Sequence, residues 1–517
     1  MSTPTPMPPP NFYSSNPLNR LSWLRNNPSY LNRALLNPRA RFLPLLKLKP
    51  LLVSNNPNQT NSEDTSHSLA LLGLPTITRF LDERIARQIR SANERKESYV
   101  WFDEQGGPAA IPGTNQEDGS GTDDDRPMIL FLGVDEGQDL VTENGQDTTE
   151  RPSSPALPEK SPSGQDGLDK SNGVEPGNFD ASEPKSEPNS VREPLGSPYF
   201  AISIDNIPSL QDYLLSPPSS STHPIELLSP PSTTKTTNSS SPQNMKLQYE
   251  DLRSASSLIP TSQASIAGLS RTLLDWHSRS RFCPGCGQPT RSIWGGWKRT
   301  CLPTPSSSSS PSSSSDRPPC ISSKGIHNFQ YPRTDPVVIM AILHWEKDEI
   351  LLGRQKSWPS GMYSCLAGFV EPGETLEEAV KREVWEEAGI DLPLEGITYH
   401  STQPWPFPGS LMFGLFARAS PNSVIRTDLD NELEDAKWIP KEKITHLVQP
   451  GISSRWEDAK PVDVGGIHKL PPKTAIARIL VEAWVKGEFD NKSSPPVDEN
   501  EKLKGRLFGG DYQKGKI

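Results

Sequence analysis

The chain has little with which to build one large core. Hydrophobic residues make up 33% of its 517 positions, below the roughly 45–50% of a typical domain, a range that also counts Gly. No apolar run approaches the roughly 18–20 residues of a membrane helix, so a soluble chain is expected. A basic excess is missing as well. Lys+Arg 53 stand against Asp+Glu 63, a net charge of −10. That excludes the footprint of a general nucleic-acid binder and leaves room for a local basic pocket. Cysteine is scarce, 5 residues, and without a secretory signal no disulfide framework is expected. Acids are absent before Glu63. An Arg-rich, acid-free start is shared by mitochondrial transit peptides and ordinary basic domain starts. The prolines at 4, 6, 8, 9 and 10 would break a presequence helix.

Proline is abundant, with 55 residues, and it gathers with Ser, Asp and Glu. Residues 137–197 hold one aromatic, Phe179, and residues 216–243 hold none. Neither stretch can bury enough apolar surface to offset its ordering entropy. They read as disordered insertions, with 112–127, inside one N-terminal domain spanning 11–280. In that domain, apolar spacing predicts a helix over 76–96 and another over 264–280. Short strands are predicted at 99–102, 128–132 and 199–204. Residues 11–53 alternate apolar and basic positions broken by prolines. Beyond 333 the pattern is strand-like at 337–343, 350–352, 398–401 and 410–417, with helices at 376–388 and 474–486. That is a compact α+β unit spanning 333–488, followed by a polar tail, 489–517.

The chemistry concentrates in residues 368–390, Gly-Phe-Val-Glu-Pro-Gly-Glu-Thr-Leu-Glu-Glu-Ala-Val-Lys-Arg-Glu-Val-Trp-Glu-Glu-Ala-Gly-Ile. At about 100° per residue, Glu383, Glu386 and Glu387 share one side of a helix. Leu376, Val380, Val384 and Ala388 form a separate apolar stripe at spacing four. Three glutamates alone would fit a solvated acidic face. Clustered carboxylates beside a core-bound stripe are better explained by cations between them, and oxygen ligands suit Mg²⁺ or Mn²⁺. Arg382 is placed to orient a glutamate through a bidentate pair, and Gly389 to end the helix in a left-handed cap.

Four of the cysteines, Cys283, Cys286, Cys301 and Cys320, fall within forty residues and begin with Cys-Pro-Gly-Cys-Gly. A closed set of four thiolates means a structural Zn²⁺. Eighteen residues separate Cys301 from Cys320, and fourteen of them are Ser or Pro. They read as a loop at 302–319, and lengthening a loop costs only about 0.6 kcal/mol per doubling. His327 is the rival fourth ligand. Cys365 is expected to be a buried apolar residue.

The 368–390 stretch is identified as a Nudix box, G-x5-E-x7-R-E-U-x-E-E-x-G-U. Residues 401–412, Ser-Thr-Gln-Pro-Trp-Pro-Phe-Pro-Gly-Ser-Leu-Met, resemble the signature of the NADH pyrophosphatase branch, with Thr402 in place of a serine. The cysteine cluster resembles the zinc ribbon of that branch, with a wider final spacing. Asn16-Pro-Leu-Asn-Arg20, Leu273-Leu-Asp-Trp-His277 and Tyr331-Pro-Arg-Thr-Asp-Pro336 resemble further segments of it.

The resemblance implies a Nudix fold, a mixed sheet between helices, preceded by a zinc ribbon at 281–332 and an N-terminal α+β domain. It implies catalytic Arg382, Glu383, Glu386 and Glu387. The catalytic metal ligands would be those glutamates, Glu432 and the main-chain carbonyl of Ala367. Glu434 and Asp435 leave the register of Glu432 open. Substrate contacts would come from Tyr331, Gln403, Pro404, Trp405, Pro406, Phe407, Pro408, Gly409, Ser410 and Ala477, with Trp405 and Phe407 offering aromatic surface to a base. The implied reaction is metal-dependent hydrolysis of NAD(H) to NMN(H) and AMP, and the implied assembly a homodimer. Two alternatives stay open: removal of NAD caps from RNA 5′ ends, and an interaction protein with a vestigial Nudix domain. A cytoplasmic location is expected. A peroxisomal one stays open, although Gly515-Lys516-Ile517 is a poor match to the usual C-terminal address.

Overall fold

The computed structural model describes residues 10–54, 67–80, 101–103, 127–136, 196–215, 246–301, 320, 330–420, 422–448 and 466–489. No helix among them is long and apolar enough to cross a membrane.

The first sheet contains β1 (Arg41–Leu46), β2 (Lys49–Ser54), β3 (His67–Leu69), β4 (Ile129–Asp135), β5 (Ser197–Ser203) and β6 (Lys246–Tyr249). Its order is β3-β2-β1-β5-β4, with β6 also on β2. Only β1 and β5 run parallel. Side chains alternate across a strand, and here both faces are covered. Phe42, Phe131 and Phe200 face Leu31 and Leu35 of α1 (Pro28–Leu36), Ile77 of α2 (Leu74–Phe80) and Leu210 of α3 (Pro208–Leu215). Leu43, Leu130, Leu132 and Tyr199 face the other way, onto α4 (Leu252–Ala255) and α5 (Thr261–Arg279).

β4 and β5 flank residues 137–195 and pair with each other, so the sheet does continue across that stretch, as the sequence implied. β5 begins at Ser197, just inside the expected insertion. The 11–53 stretch had no assigned elements and holds α1, β1 and β2. Lys47 and Leu48 turn the β1–β2 hairpin with positive φ (49° and 64°), without the Asn-Gly signal that announces such a turn. The expected strand at 99–102 is not one where described. Trp101 and Phe102 are held instead by the Asn32 amide, whose Oδ1 accepts from both backbone nitrogens (2.7 and 2.9 Å) and whose Nδ2 donates to Phe102 O (2.8 Å). The helix expected at 76–96 starts at Leu74 and is described to Phe80; its remainder, and most of the expected insertions and tail, lie outside the described residues.

A two-stranded ribbon, β7 (Thr290–Ile293) with β8 (Lys298–Cys301), follows α5. The second large sheet comprises β9 (Asp335–His344), β10 (Glu349–Gln355), β11 (Leu366–Phe369), β12 (Thr398–Trp405), β13 (Ser410–Ala419) and β14 (Leu433–Pro440). Its order is β12-β13-β9-β10-β14, with β11 on β9 and only β9 and β13 parallel. This is the mixed sheet between helices that the resemblance implied. Val338, Met340 and Ile342 face α6 (Leu376–Ala388). Ile339, Ala341 and Leu343 face α7 (Lys441–Val448) and α8 (Ile476–Val485).

The two sheets meet at the β12–β13 turn. Trp405 and Phe407 pack onto the second core of the first sheet. Tyr13 meets both edge-on, at 6.2 and 6.0 Å between centroids, and the guanidiniums of Arg253 and Arg271 lie 4.5 and 5.0 Å from the Phe407 centroid. Gln403 is fully buried. Its Nε2 donates to Phe12 O (3.1 Å) and Thr474 O (3.0 Å), and its Oε1 accepts from Ile476 N (2.8 Å). α8 has Ala475 at its N-cap, with no side-chain cap. Gln403 thus supplies from another strand the acceptor that the helix start needs. Gln403→Ala is expected to destabilise the protein by about 2 kcal/mol, since three buried groups lose partners. Adding Ala475→Ser, a local cap, should return about 1 kcal/mol. Thermal melts of the three proteins check this, and equal stability of Gln403→Ala and the parent would remove the cap role.

Candidate active site and metal centres

α6 is fixed before its carboxylates come into play. Thr375 caps its start in a reciprocal box: Glu378 N donates to Thr375 Oγ1 (3.2 Å), and Thr375 N donates to Glu378 Oε2 (2.8 Å). Gly389 ends it in the left-handed region (φ 67°, ψ 17°), as its position in the sequence implied. Ala379, Val380, Val384 and Ala388 are buried against the sheet, and Leu376 is partly so.

The neighbouring face carries the acids. Arg382 forms a bidentate pair with Glu374 (2.6 and 2.9 Å) and reaches Glu383 Oε1 (2.8 Å), Glu386 Oε2 (2.9 Å) and Phe369 O (2.8 Å). Its hydrogen bonds hold the Glu374 carboxyl below the usual carboxylate range. Gly368 leaves the room that Glu383 occupies: a Cβ there would overlap the Glu383 carboxyl group. Burial pushes the Glu383 carboxyl upward against the pull of Arg382, and Glu386 and Glu432 add to the rise. Glu387 is 2% exposed. Burial first, then repulsion from Glu432, Glu383 and Asp430, pushes it up to about 9, opposed by a hydrogen bond from the Ala367 backbone.

The acidic stretch 430–435 runs into the start of β14. Glu432 turns toward the α6 carboxylates and accepts from Gln355 Nε2 (2.8 Å). Glu434 pairs with Arg354 (2.8 Å), and Asp435 with Lys437 (2.7 Å) and the Tyr363 hydroxyl (2.5 Å). Asp430 Oδ1 accepts from Glu432 N (2.9 Å), and Phe369, one residue beyond Gly368, is 59% exposed. Glu383 and Glu387, whose carboxyls burial pushes upward, are oxygen donors of the kind that suits a hard divalent cation.

The four thiols come together. Cys283, Cys286, Cys301 and Cys320 have all sulfurs within 4.8 Å of one another. The Cys283–Cys320 and Cys286–Cys301 separations are 3.7 and 3.5 Å. A tetrahedron with Zn–S bonds of about 2.3 Å has edges of about 3.8 Å, so the set fits zinc. Gly287, at φ 71°, lets the knuckle fold back so that its N–H donates to Cys283 O (2.7 Å). Gln330 Nε2 donates to Cys283 Sγ (3.1 Å). Cys365 is buried, as expected, and His327 lies outside the described residues.

Other predicted contacts are distributed. Residues 403–410 and Ala477 come together through Gln403 and the start of α8. Ala477 is buried, and its carbonyl accepts from Cys365 Sγ (3.7 Å). Ser410 is buried at the start of β13, Pro406 is buried, Gly409 half-buried, and Pro404 and Pro408 are exposed. Tyr331 sits by the ribbon, its ring 6.0 Å from Trp294 and 5.2 Å from Lys298 Nζ.

Known proteins resemble the chain at both centres. Residues 334–457 match the family described as NUDIX domain, and residues 278–306 the NADH pyrophosphatase zinc ribbon domain. The chain is similar to a "NAD-capped RNA hydrolase" of Schizosaccharomyces pombe, 31% identical over 494 residues, covering 94% of this chain and 96% of that protein. It is 41% identical over 224 residues to "NAD-capped RNA hydrolase NUDT12" of Homo sapiens, covering 43% of this chain and 42% of that protein. A "NAD-capped RNA hydrolase NudC" of Mycobacterium bovis is 32% identical over 234 residues, 45% of this chain and 64% of that protein.

Two outcomes follow from these centres. With its folded pKa about 9 against an ordinary 4.5, Glu387 keeps a proton in the folded chain that the unfolded chain has lost. Stability of the chelator-treated protein should therefore fall as pH rises from about 5 to 9. Mg²⁺ or Mn²⁺ should restore more of it at the upper end, and Glu387→Gln should flatten the slope. Melting curves across pH read this, and an identical slope in the variant would exclude Glu387 as its source. Elemental analysis should find about one zinc per chain, as a closed four-thiolate site implies. Cys283→Ser should lose that zinc and lower the melting temperature; zinc-free wild-type protein would contradict the site.

Proposed function

This chain belongs to the NADH pyrophosphatase branch of the Nudix hydrolase family, and on that premise we propose that it hydrolyses the pyrophosphate of NAD(H) to NMN(H) and AMP. It is a divalent-metal-dependent hydrolase with a zinc ribbon. The observation that carries the reading is the set of carboxylates on α6, with Glu383 seated where Gly368 leaves room and Arg382 bonded to Glu383 and Glu386.

Glu383, Glu386, Glu387 and Glu432, with the Ala367 carbonyl, would hold the catalytic cations, taken to be Mg²⁺ or Mn²⁺. Bound there, such cations neutralise pyrophosphate oxygens and lower the pKa of a bound water. Arg382 bridges Glu383 and Glu386, donating to a carboxylate oxygen of each. Glu387, or a neighbouring carboxylate, takes the proton of the attacking water on its carboxylate oxygen. The water oxygen bonds to one phosphorus, the P–O–P bridge breaks, and the bridging oxygen leaves on the other phosphate. Tyr331, the 403–410 segment and Ala477 shape the nucleoside side of the pocket. A homodimer and a cytoplasmic location complete the proposal.

A second reading keeps the bond and enlarges the substrate to NAD-capped RNA. It is favoured by what the relatives named above are called. The third, a vestigial domain, sits poorly with an intact box, since a site without function would be expected to have lost a carboxylate.

The test is a panel of NADH, NAD⁺, NADPH, ADP-ribose and NAD-capped RNA with Mg²⁺ and Mn²⁺, products being identified. NADH should give NMNH and AMP faster than ADP-ribose is cleaved; the reverse order would overturn the substrate. Glu387→Gln should nearly abolish turnover without unfolding the protein. Retention of more than about a tenth of the rate, a loss of only about 1.4 kcal/mol, would remove Glu387 from the catalytic set.

A further inference from the structure

One motif of the N-terminal unit has no place in the hydrolytic chemistry. The segment ending at Arg20 is pinned to β4: Asn19 N donates to Val134 O (2.8 Å), and Val134 N donates to Asn19 O (2.9 Å). The short helical turn Ser22–Leu24 then brings Arg25 back toward Arg20. Both guanidiniums gather at Trp297, Arg25 at 3.4 Å from the ring centroid and Arg20 at 5.7 Å. The ring is fixed in place, since its Nε1 donates to Phe131 O (2.7 Å).

Neither arginine has an ion-pair partner among the described residues. Glu136, at the end of the neighbouring strand, accepts from Asn19 instead (3.1 Å). Arg20 is exposed, while burial lowers the pKa of Arg25 and the neighbouring Arg20 lowers it further. Two like charges thus share one aromatic surface with no acid between them. Three residues before Trp297, Trp294 lies 4.5 Å from Lys298 Nζ and 6.0 Å from Tyr331, with the same Nζ 5.2 Å from the Tyr331 ring. Trp23, in the turn between the two arginines, is 61% exposed.

In a chain of net charge −10, unneutralised cations interleaved with aromatic rings call for a particular ligand. Guanidinium pairs recognise phosphate oxygens; Trp294, Trp297 and Tyr331 are half-buried, and the exposed Trp23 ring offers the stacking surface to an unpaired base. We infer that Arg20, Arg25 and Trp297, continued by Lys298 and Trp294 toward Tyr331, form a binding track for the phosphodiester chain of single-stranded RNA. This rests on the NAD-capped RNA reading, in which an RNA body must leave the pocket once the cap is seated. Free NAD(H) has no such chain and makes no use of the track.

The test uses the full-length, zinc-loaded enzyme. Binding of a fluorescent, uncapped single-stranded RNA of about fifteen nucleotides is measured by anisotropy at several salt concentrations. NADH and the NAD-capped form of the same RNA are then compared as substrates. In the double variant Arg20→Gln/Arg25→Gln, uncapped RNA should bind at least about fivefold more weakly. Its salt dependence should be shallower by up to about 1.4 in log–log slope, about 0.7 for each lost phosphate contact. kcat/KM on NAD-capped RNA should fall at least about fivefold through KM, while kcat/KM on NADH stays within about twofold. Arg20→Gln alone, which leaves the Arg25–Trp297 contact in place, should show the same direction with native melting behaviour. Arg79→Gln, which removes an equal charge from α2, should change neither.

RNA binding and capped-RNA kinetics unaffected in both the single and the double variant would overturn the track. So would wild-type protein that cleaves NADH and does not bind the uncapped RNA, and that result would leave the pyrophosphatase reading standing. Failure to cleave NADH and capped RNA alike would instead remove the proposed function, while binding of the uncapped strand would still report on the track.

Discussion

The acidic face of α6 confines negative charge. Glu383 lies where only a glycine at 368 leaves room, Glu387 is buried beside it, and Glu432 approaches from the acidic run before β14. The Arg382 guanidinium is the cation bonded to this face, and its strongest engagement is with Glu374. One guanidinium is shared among Glu374, Glu383 and Glu386, and burial with the neighbouring acids pushes the Glu387 carboxyl up to about 9. The apolar stripe, the Thr375 capping box and the Gly389 cap keep α6 from relaxing away from this crowding.

The remaining parts are tied together by a few buried polar side chains. His277 of α5 is one. Its Nδ1 faces the Arg299 guanidinium (2.7 Å), which can only donate, and its Nε2 faces Gly296 O (2.8 Å), which can only accept. The ring is therefore neutral, with its proton on Nε2, in keeping with a pKa that burial pushes down to about 3. Arg299 also bonds Thr290, and its backbone N–H donates to Gln330 O (2.8 Å). Gln330 in turn reaches Cys283 and precedes Tyr331. A zinc knuckle that lost its metal would thus disturb the approach to Tyr331 as well as the ribbon.

Much of this was legible in the sequence, for physical reasons that differ by element. α6 was legible to the residue because its box fixes a cap, an apolar stripe and an acidic face at once. The thiol cluster was legible because cysteines have few other uses at that spacing, and Cys320 joined it across the Ser/Pro-rich stretch. The β1–β2 hairpin was hidden because its turn is Lys-Leu and its prolines read as breaks. Residues 99–102 were read as a short strand, whereas at 101–102 a side chain, Asn32, supplies the hydrogen bonds. The cap role of Gln403 was out of reach, since nothing local says that a glutamine will cap a helix beginning at residue 476.

That Gln403 contact alters how the 401–412 signature is understood. Three prolines stiffen the segment, and stiffness is useful for presenting a ring to a ligand. It is equally useful for holding two sheets in a fixed relation. Here both amide ends of Gln403 are engaged within the protein, and Trp405 and Phe407 lie against Tyr13, with Arg253 and Arg271 at Phe407. The segment is therefore the joint through which the N-terminal unit meets β12, β13 and the start of α8. A change in the docking of Tyr13 or Arg271 would be transmitted to Ala477 through backbone that proline has made rigid. A substrate preference encoded in this segment would then depend as much on the N-terminal unit as on the catalytic helix, which by itself presents only carboxylates to a pyrophosphate.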